Sequence, residues 1–302
     1  MIEAWIPIAI AAAFFQNLRS ALQKHLKGKL SNSGAGYARF LYALPLAILY
    51  LWAIAVWTGS PLPSMNLRFV LYCIAGGVAQ IIFTVLLLWM FSFRSFAVGT
   101  TFSKLEVVMV AALGALILDD GLSSLAVLAI AISAIGVVAL SMAQTKLSLR
   151  ALLAGITGRD TVVGLICASF LGASVVFFRG ASLQLQHDNV LMSAAFTLAV
   201  ALFIQNIIMG LWLWFREPGE IGRVFGEWRW ASLVGVTGVL ASIGWFTAFT
   251  LQNASYVRAV GQIELLFTFI FTTRVFKEQV SRVEMLGIVL VAIGIVLILL
   301  AP

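Results

Sequence analysis

Ser103-Lys104-Leu105-Glu106 lies in the middle of a long apolar stretch, and so does Gly261-Gln262-Ile263-Glu264. The two segments are 158 residues apart, and the same offset carries Ser123 onto Ser281 and Gly136 onto Gly294 without a gap. Asp119-Asp120 then faces Lys277-Glu278, and each turn leads into a last apolar segment bearing Gly-Val-Val or Gly-Ile-Val. Near the start of each half, Arg19-Ser20-Ala21 resembles Arg179-Gly180-Ala181 at an offset of 160. Apolar helices resemble one another by chance, but a carboxylate and a polar break at matching places do not follow from composition. The spacing reads as an internal duplication.

The rest of the 302 residues fits that reading. Hydrophobic residues make up 62% and charged residues 10%, against roughly 45–50% and about 25% in soluble domains. So few charges could not cover the outside of a soluble fold, so the solvent is a bilayer. The apolar runs predict ten spans at about 4–23, 36–57, 67–91, 95–118, 123–143, 161–183, 190–215, 229–252, 255–276 and 281–300. At about 20 residues per membrane helix, these consume roughly 200 residues. That excludes a large extramembrane domain, a tethered soluble enzyme and a single-anchor receptor. The expected organisation is a first five-helix repeat over 1–143, a basic cytoplasmic connector over 144–160 and a second repeat over 161–302. Met1-Ile2-Glu3 lacks a positive leader, so the N-terminus reads as a mature first helix.

Five is odd, so the second repeat should enter the membrane inverted. Charge tests this independently. The connections after spans 1, 3, 5, 7 and 9 carry Lys24, Lys27, Lys29, Arg39, Arg94, Lys146, Arg150, Arg159, Arg216, Arg223, Arg229, Arg274, Lys277 and Arg282, most of the 19 basic residues. Arg68 and Arg258 fall at the edge of the opposite side, and Arg19, Lys104 and Arg179 within spans. This bias puts both termini outside the cytoplasm, in a multi-pass protein of the bacterial inner membrane. It also accounts for the +7 net charge without a nucleic-acid partner, since no basic run is interleaved with aromatics.

Charges inside spans are the chemical signal, because inserting Lys, Arg or Asp at a helix centre costs about 2.5–3.5 kcal/mol. Lys104 and Glu106 fall about ten residues, or roughly 15 Å, into the fourth span at 1.5 Å per residue. Glu264 lies comparably deep in the ninth. On one continuous helix, Lys104 and Glu106 would point about 200° apart, so each needs a partner elsewhere. Glu264, paired by position only with Gln262, reads as the better proton carrier. Arg19 and Arg179 lie near the far ends of the first spans of their halves. They either snorkel to interfacial water or act as paired gates for an anionic group, which a guanidinium grips bidentately. Arg39 and Arg258 hold similar end positions. Asn17, Gln80, Thr101, Ser103, Gln262 and Trp245 are further candidates for the lining, beside Gln16, Thr84, Thr100, Ser169, Ser174, Ser242 and Thr247. Gln205-Asn206 has no role in this reading.

Catalysis finds no machinery. His25 and His187 lie in polar connections, and Asp119, Asp120, Asp160 and Asp188 sit at span ends, so zinc, aspartyl and serine chemistry all lack a constellation. Cys73 and Cys167 read as packing residues rather than a disulfide. No enzyme activity, cofactor or metal is expected.

Two inverted five-helix repeats with short acidic or Lys-Glu turns before a Gly-bearing last span resemble the drug/metabolite transporter superfamily, closest to its EamA-like branch. The resemblance covers about 4–143 and 161–302; Lys277-Glu278 matches the turn and Asp119-Asp120 varies it. It implies a ten-helix bundle whose central cavity is lined by helices 1, 3, 4, 6, 8 and 9. Many relatives are drawn with both termini inside, opposite to the charge bias here. The expected function is alternating-access secondary transport of a small polar metabolite, an amino acid or related zwitterion or organic anion, coupled to protons through the midplane glutamates. The expected partners are that solute, protons and the bilayer, in a monomer or weak homodimer. The alternative is a proton-coupled exporter of lipophilic cations, as in the related small multidrug transporters.

Overall fold

The computed structural model describes residues 3–26, 29–90, 102–144, 147–154, 158–267 and 281–301, which are helical with no strand among them. The helices are α1 (Trp5–Leu26), α2 (Asn32–Thr58), α3 (Leu67–Met90), α4 (Glu106–Leu118), α5 (Ser124–Gln144), α6 (Leu149–Ala154), α7 (Arg159–Gln184), α8 (Val190–Arg216), α9 (Glu220–Gly226), α10 (Trp228–Leu251), α11 (Ala254–Gly261) and α12 (Arg282–Leu300). Seven of the described helices are long and apolar enough to cross a membrane: α2, α3, α5, α7, α8, α10 and α12. α1 is long enough but carries Gln16, Asn17, Arg19 and Gln23, and is not among the seven.

Local hydrogen bonding explains where these helices begin. The Ser31 hydroxyl accepts from the Gly34 N–H at 2.9 Å, and the Asn189 side chain accepts from the Met192 N–H at 3.2 Å. Such caps satisfy backbone donors that lack a partner inside the helix. The two caps are 158 residues apart, as are both ends of α2 and α8, each 27 residues long. Ser123 and Ser281, at the same offset, receive the N–H groups of Ala126 and Glu284, both at 3.2 Å. The starts of α5 and α12 and the ends of α1 and α7 also coincide under the shift.

The structure differs from the predicted spans in two respects. Short helices α6 and α9 occupy polar connections predicted without structure. The fourth and ninth spans are not continuous helices. Residues 102 and 103 are helical, Lys104 and Leu105 form a turn, and α4 begins at Glu106. α11 likewise breaks at Gln262 before helix resumes over 263–267. The tighter bonds Leu105 N–H to Phe102 O at 3.1 Å and Gln262 N–H to Ala259 O at 3.2 Å mark these breaks. The remaining parts of both spans lie outside the described residues.

Two compact units emerge, residues 1–81 with 177–252 and residues 82–176 with 253–302. Each draws helices from both halves of the sequence. In the first, α1 packs on α10 and α2 on α8 and α10, around buried Phe40, Leu198, Leu202, Met209 and Leu213. One end is fastened by polar contacts. Ser31 donates to Glu217 at 2.5 Å and, through its N–H, to Glu220 at 2.6 Å, and Lys29 pairs with Glu227 at 2.8 Å.

In the second unit α5 packs along α12 and α4 against α11. Val137, Val291 and Ile295 form its core with Ile263, Leu265 and Leu266. Gly136 meets Gly287, and Gly294 meets Ala129 and Ser133, so α5 and α12 run antiparallel. Outward faces are apolar throughout: Leu116 is 81% exposed, Trp57 77% and Phe215 72%. Trp57, Trp214 and Trp228 lie at helix ends, as in an interfacial belt.

Candidate functional site

The second unit concentrates charge at its helix breaks. Because α4 starts at Glu106, this carboxylate occupies a helix N-terminus, where the macrodipole favours negative charge. Arg258 sits in the last turn of α11, the end that favours a cation. Packing of α11 on α4 brings them together, and Arg258 forms an ion pair with Glu106. Both are buried, at 7% and 8% exposure. Glu264, just beyond the second break, acts on the same guanidinium through its charge. One cation thus serves two carboxylates that occupy the same place in each half.

The residues around this centre have separable roles. Ser103 and Gln262 are buried beside the two breaks. Lys104 is half-buried at the first break, within electrostatic reach of Cys167, and makes no ion pair among the described residues. With the helix interrupted at Lys104 and Leu105, the 200° separation expected from Glu106 does not apply. Asp119 takes a left-handed conformation (φ 55°), and the following Asp120 N–H reaches Gly114 O at 3.2 Å, which ends α4. Asn253 donates to Gly121 O at 3.4 Å and Ser123 lies 3.5 Å from the Tyr256 hydroxyl. The acidic turn is therefore an anchor for the start of α11.

The first unit holds the remaining arginines. Arg179 donates to Phe249 O at 2.5 Å and Gln252 O at 2.6 Å, capping the C-terminus of α10. Arg19 and Arg39 instead converge on Gly238: a Cβ there would lie 3.4 Å from Arg19 Cδ and 3.6 Å from Arg39 Cγ. Trp245 is buried, donates from Nε1 to the Gln16 side-chain Oε1 at 3.0 Å and stacks on Phe249 at 5.7 Å. Gln80 accepts from Gln205 at 2.6 Å, which gives Gln205 a role the sequence reading lacked. Asn206 donates to Phe40 O at 2.9 Å.

Residues 161–300 match the family model of the EamA-like transporter family. That stretch is similar to the EamA-like transporters, part of the drug/metabolite transporter superfamily. One solved protein crystal structure is similar over 97% of this chain and 96% of its own, with a TM-score of 0.69 and 14% identity, which shows a shared fold. No curated protein matches the chain.

With seven described helices long and apolar enough to cross a membrane, the chain is an integral, multi-pass membrane protein. Within its second unit the structure brings Glu106, Glu264, Arg258 and Gln262 to the breaks of two packed helices. Within its first unit it gathers Arg19 and Arg39, and sets Arg179, Gln80 and Trp245 in separate contacts. Asn17 is half-buried on α1, and Thr101 lies outside the described residues. The sequence reading missed the Arg258–Glu106 pair because it placed Arg258 at the membrane edge. The pair itself depends on the packing of α11 against α4, which is tertiary information.

Proposed function

We propose that this chain is a secondary transporter of a small polar metabolite, working by alternating access and driven by protons exchanged at Glu106 and Glu264. Ten spans arranged as two inverted repeats, with both termini outside the cytoplasm of a bacterial inner membrane, complete the reading. The matching caps at Ser31 and Asn189, the shared ends of α2 and α8, and the antiparallel crossing of α5 and α12 support the duplication.

The observation that carries the reading is Arg258, one guanidinium serving two carboxylates related by the repeat. Inside a membrane protein such a group must be neutralised. A proton arriving at either glutamate weakens its hold on Arg258 and shifts the pairing toward the other carboxylate. Each glutamate sits at a helix break, and inverted-repeat transporters place substrate and ion sites at interrupted helices. The solute best suited is an amino acid or related zwitterion or organic anion. With one glutamate paired to Arg258 and the other carrying the exchanged proton, the centre holds no spare negative charge, which disfavours a lipophilic cation as the cargo.

Proteoliposomes with an imposed pH gradient test this. Uptake of an amino-acid panel should follow the gradient, collapse with a protonophore, and lose its gradient dependence in Glu264→Gln and Glu106→Gln. Full gradient-driven accumulation by both variants would falsify the coupling.

A further inference from the structure

The end of the first unit where α8, α9 and α10 meet sorts its charges by direction. Its carboxylates turn inward, toward the start of α2. Glu217 and Glu220 hold the Ser31 hydroxyl and N–H, and Glu227 pairs with Lys29. α9 lies with Glu220 and Val224 buried, while Arg223 neutralises Glu220 from the outer face at 3.3 Å. The outward cations left are Arg216, which closes α8, and Arg229, in the first turn of α10, and both are exposed. Neither ion-pairs with a carboxylate among the described residues.

Each of these guanidinium groups lies over a tryptophan, Arg216 over Trp212 at 5.5 Å and Arg229 over Trp228 at 5.6 Å. A ring face engages the charge and leaves the in-plane N–H donors for another partner. The rings also fix depth. Trp212 and Trp228 are about half exposed, as is Phe225 on α9, and Trp214 and Phe215 beside Trp212 are more so. So much aromatic surface at one helix end belongs at the level of the lipid headgroups. The anion within reach there is a phospholipid phosphate, to which arginine donates bidentately. A glycerol headgroup adds no cation to oppose the guanidinium, whereas a choline headgroup does.

We infer that the α8–α10 corner is a docking surface for anionic phospholipid, with Arg216 and Arg229 each seating a headgroup phosphate above its tryptophan. It uses none of the residues of the Arg258 centre. It needs only the membrane setting and does not rest on the transporter reading.

The test titrates lipid into detergent-solubilised full-length protein and reads the thermal shift. The probes are phosphatidylglycerol, phosphatidylcholine with the same acyl chains, glycerol 3-phosphate and inorganic phosphate. Phosphatidylglycerol should half-saturate at least about tenfold below phosphatidylcholine, given about fivefold for each arginine at the headgroup layer. Arg216→Gln and Arg229→Gln should each lower that ratio about fivefold, and the double variant should abolish it. Arg216→Lys and Arg229→Lys keep the charge and should keep most of the preference. Arg68→Gln is the control, because Arg68 is exposed at the opposite end of the unit, near Asn66, which bonds Gln184 O before α8 begins. Each variant is compared with itself in the two lipids, so a general loss of stability cancels. Equal half-saturation by the two lipids, a preference that survives in the double variant, or one that Arg68→Gln lowers as much would overturn the surface. So would stabilisation by glycerol 3-phosphate or inorganic phosphate equal to that by the lipid, which would mark a site for soluble anions.

Discussion

Gly136 on α5 and Gly287 on α12 meet backbone to backbone. A Cβ on Gly136 would lie 2.7 Å from Gly287 O, and one on Gly287 2.8 Å from Gly136 O. Small residues allow such approach where lipid-facing helices have no hydrophobic drive to associate. Gly136→Ala and Gly287→Ala should each cost about 1–3 kcal/mol through overpacking. A thermal melt in detergent checks this. Gly222→Ala, with nothing within 4 Å of its Cβ, is the control and should melt like the parent.

The Arg258–Glu106 pair should show strong non-additivity. Removing one partner of a buried pair leaves an uncompensated charge, at about 3–5 kcal/mol. Arg258→Met should therefore destabilise more than Glu106→Gln, since it leaves the buried Glu106 carboxylate without its cation, whereas Glu106→Gln leaves Arg258 under the charge of Glu264. The double variant should be less destabilised than the sum of the singles, and simple additivity in a double-mutant cycle would show that the pair does not couple.

Arg179 should matter for stability more than for solute choice. Its guanidinium satisfies the carbonyls of Phe249 and Gln252 at the end of α10. Arg179→Met should cost about 1.5–3 kcal/mol, as for hydrogen bonds to a charged group, with Arg179→Lys retaining part. A changed solute preference in Arg179→Lys would instead place this residue among the solute contacts.

Membrane sidedness can be read by labelling. Gly222 and Asp188 are exposed, on α9 and on the turn before α8, and Cys73 and Cys167 are buried. Gly222→Cys should react with an impermeant maleimide only from the cytoplasmic side, and Asp188→Cys only from the opposite side. The reverse pattern would invert the proposed topology.

How much was legible beforehand depended on whether the information was local or tertiary. The offset that aligned Glu106 with Glu264 also aligned the caps Ser31 and Asn189, because a cap is written in a few adjacent residues. The helix break at Lys104 was not legible, since Ser103-Lys104-Leu105-Glu106 holds no Gly or Pro, whereas the break at Gln262 follows Gly261, a signal the reading passed over. Arg39 and Arg258 looked alike as span-end charges. Only packing separated them, setting one over Gly238 and the other on Glu106. Arg19 and Arg179 aligned in sequence and diverged in use, because α10 offers carbonyls to one and a bare glycine to the other.

The amide pair Gln80–Gln205 has a mechanical meaning. It ties α3 to α8 beside the apolar cluster of Phe69, Cys73 and Phe196. Sliding one helix past the other by a turn, about 5.4 Å, would break that bond. The pair works as a registry pin that sets α3 against α8 at this level.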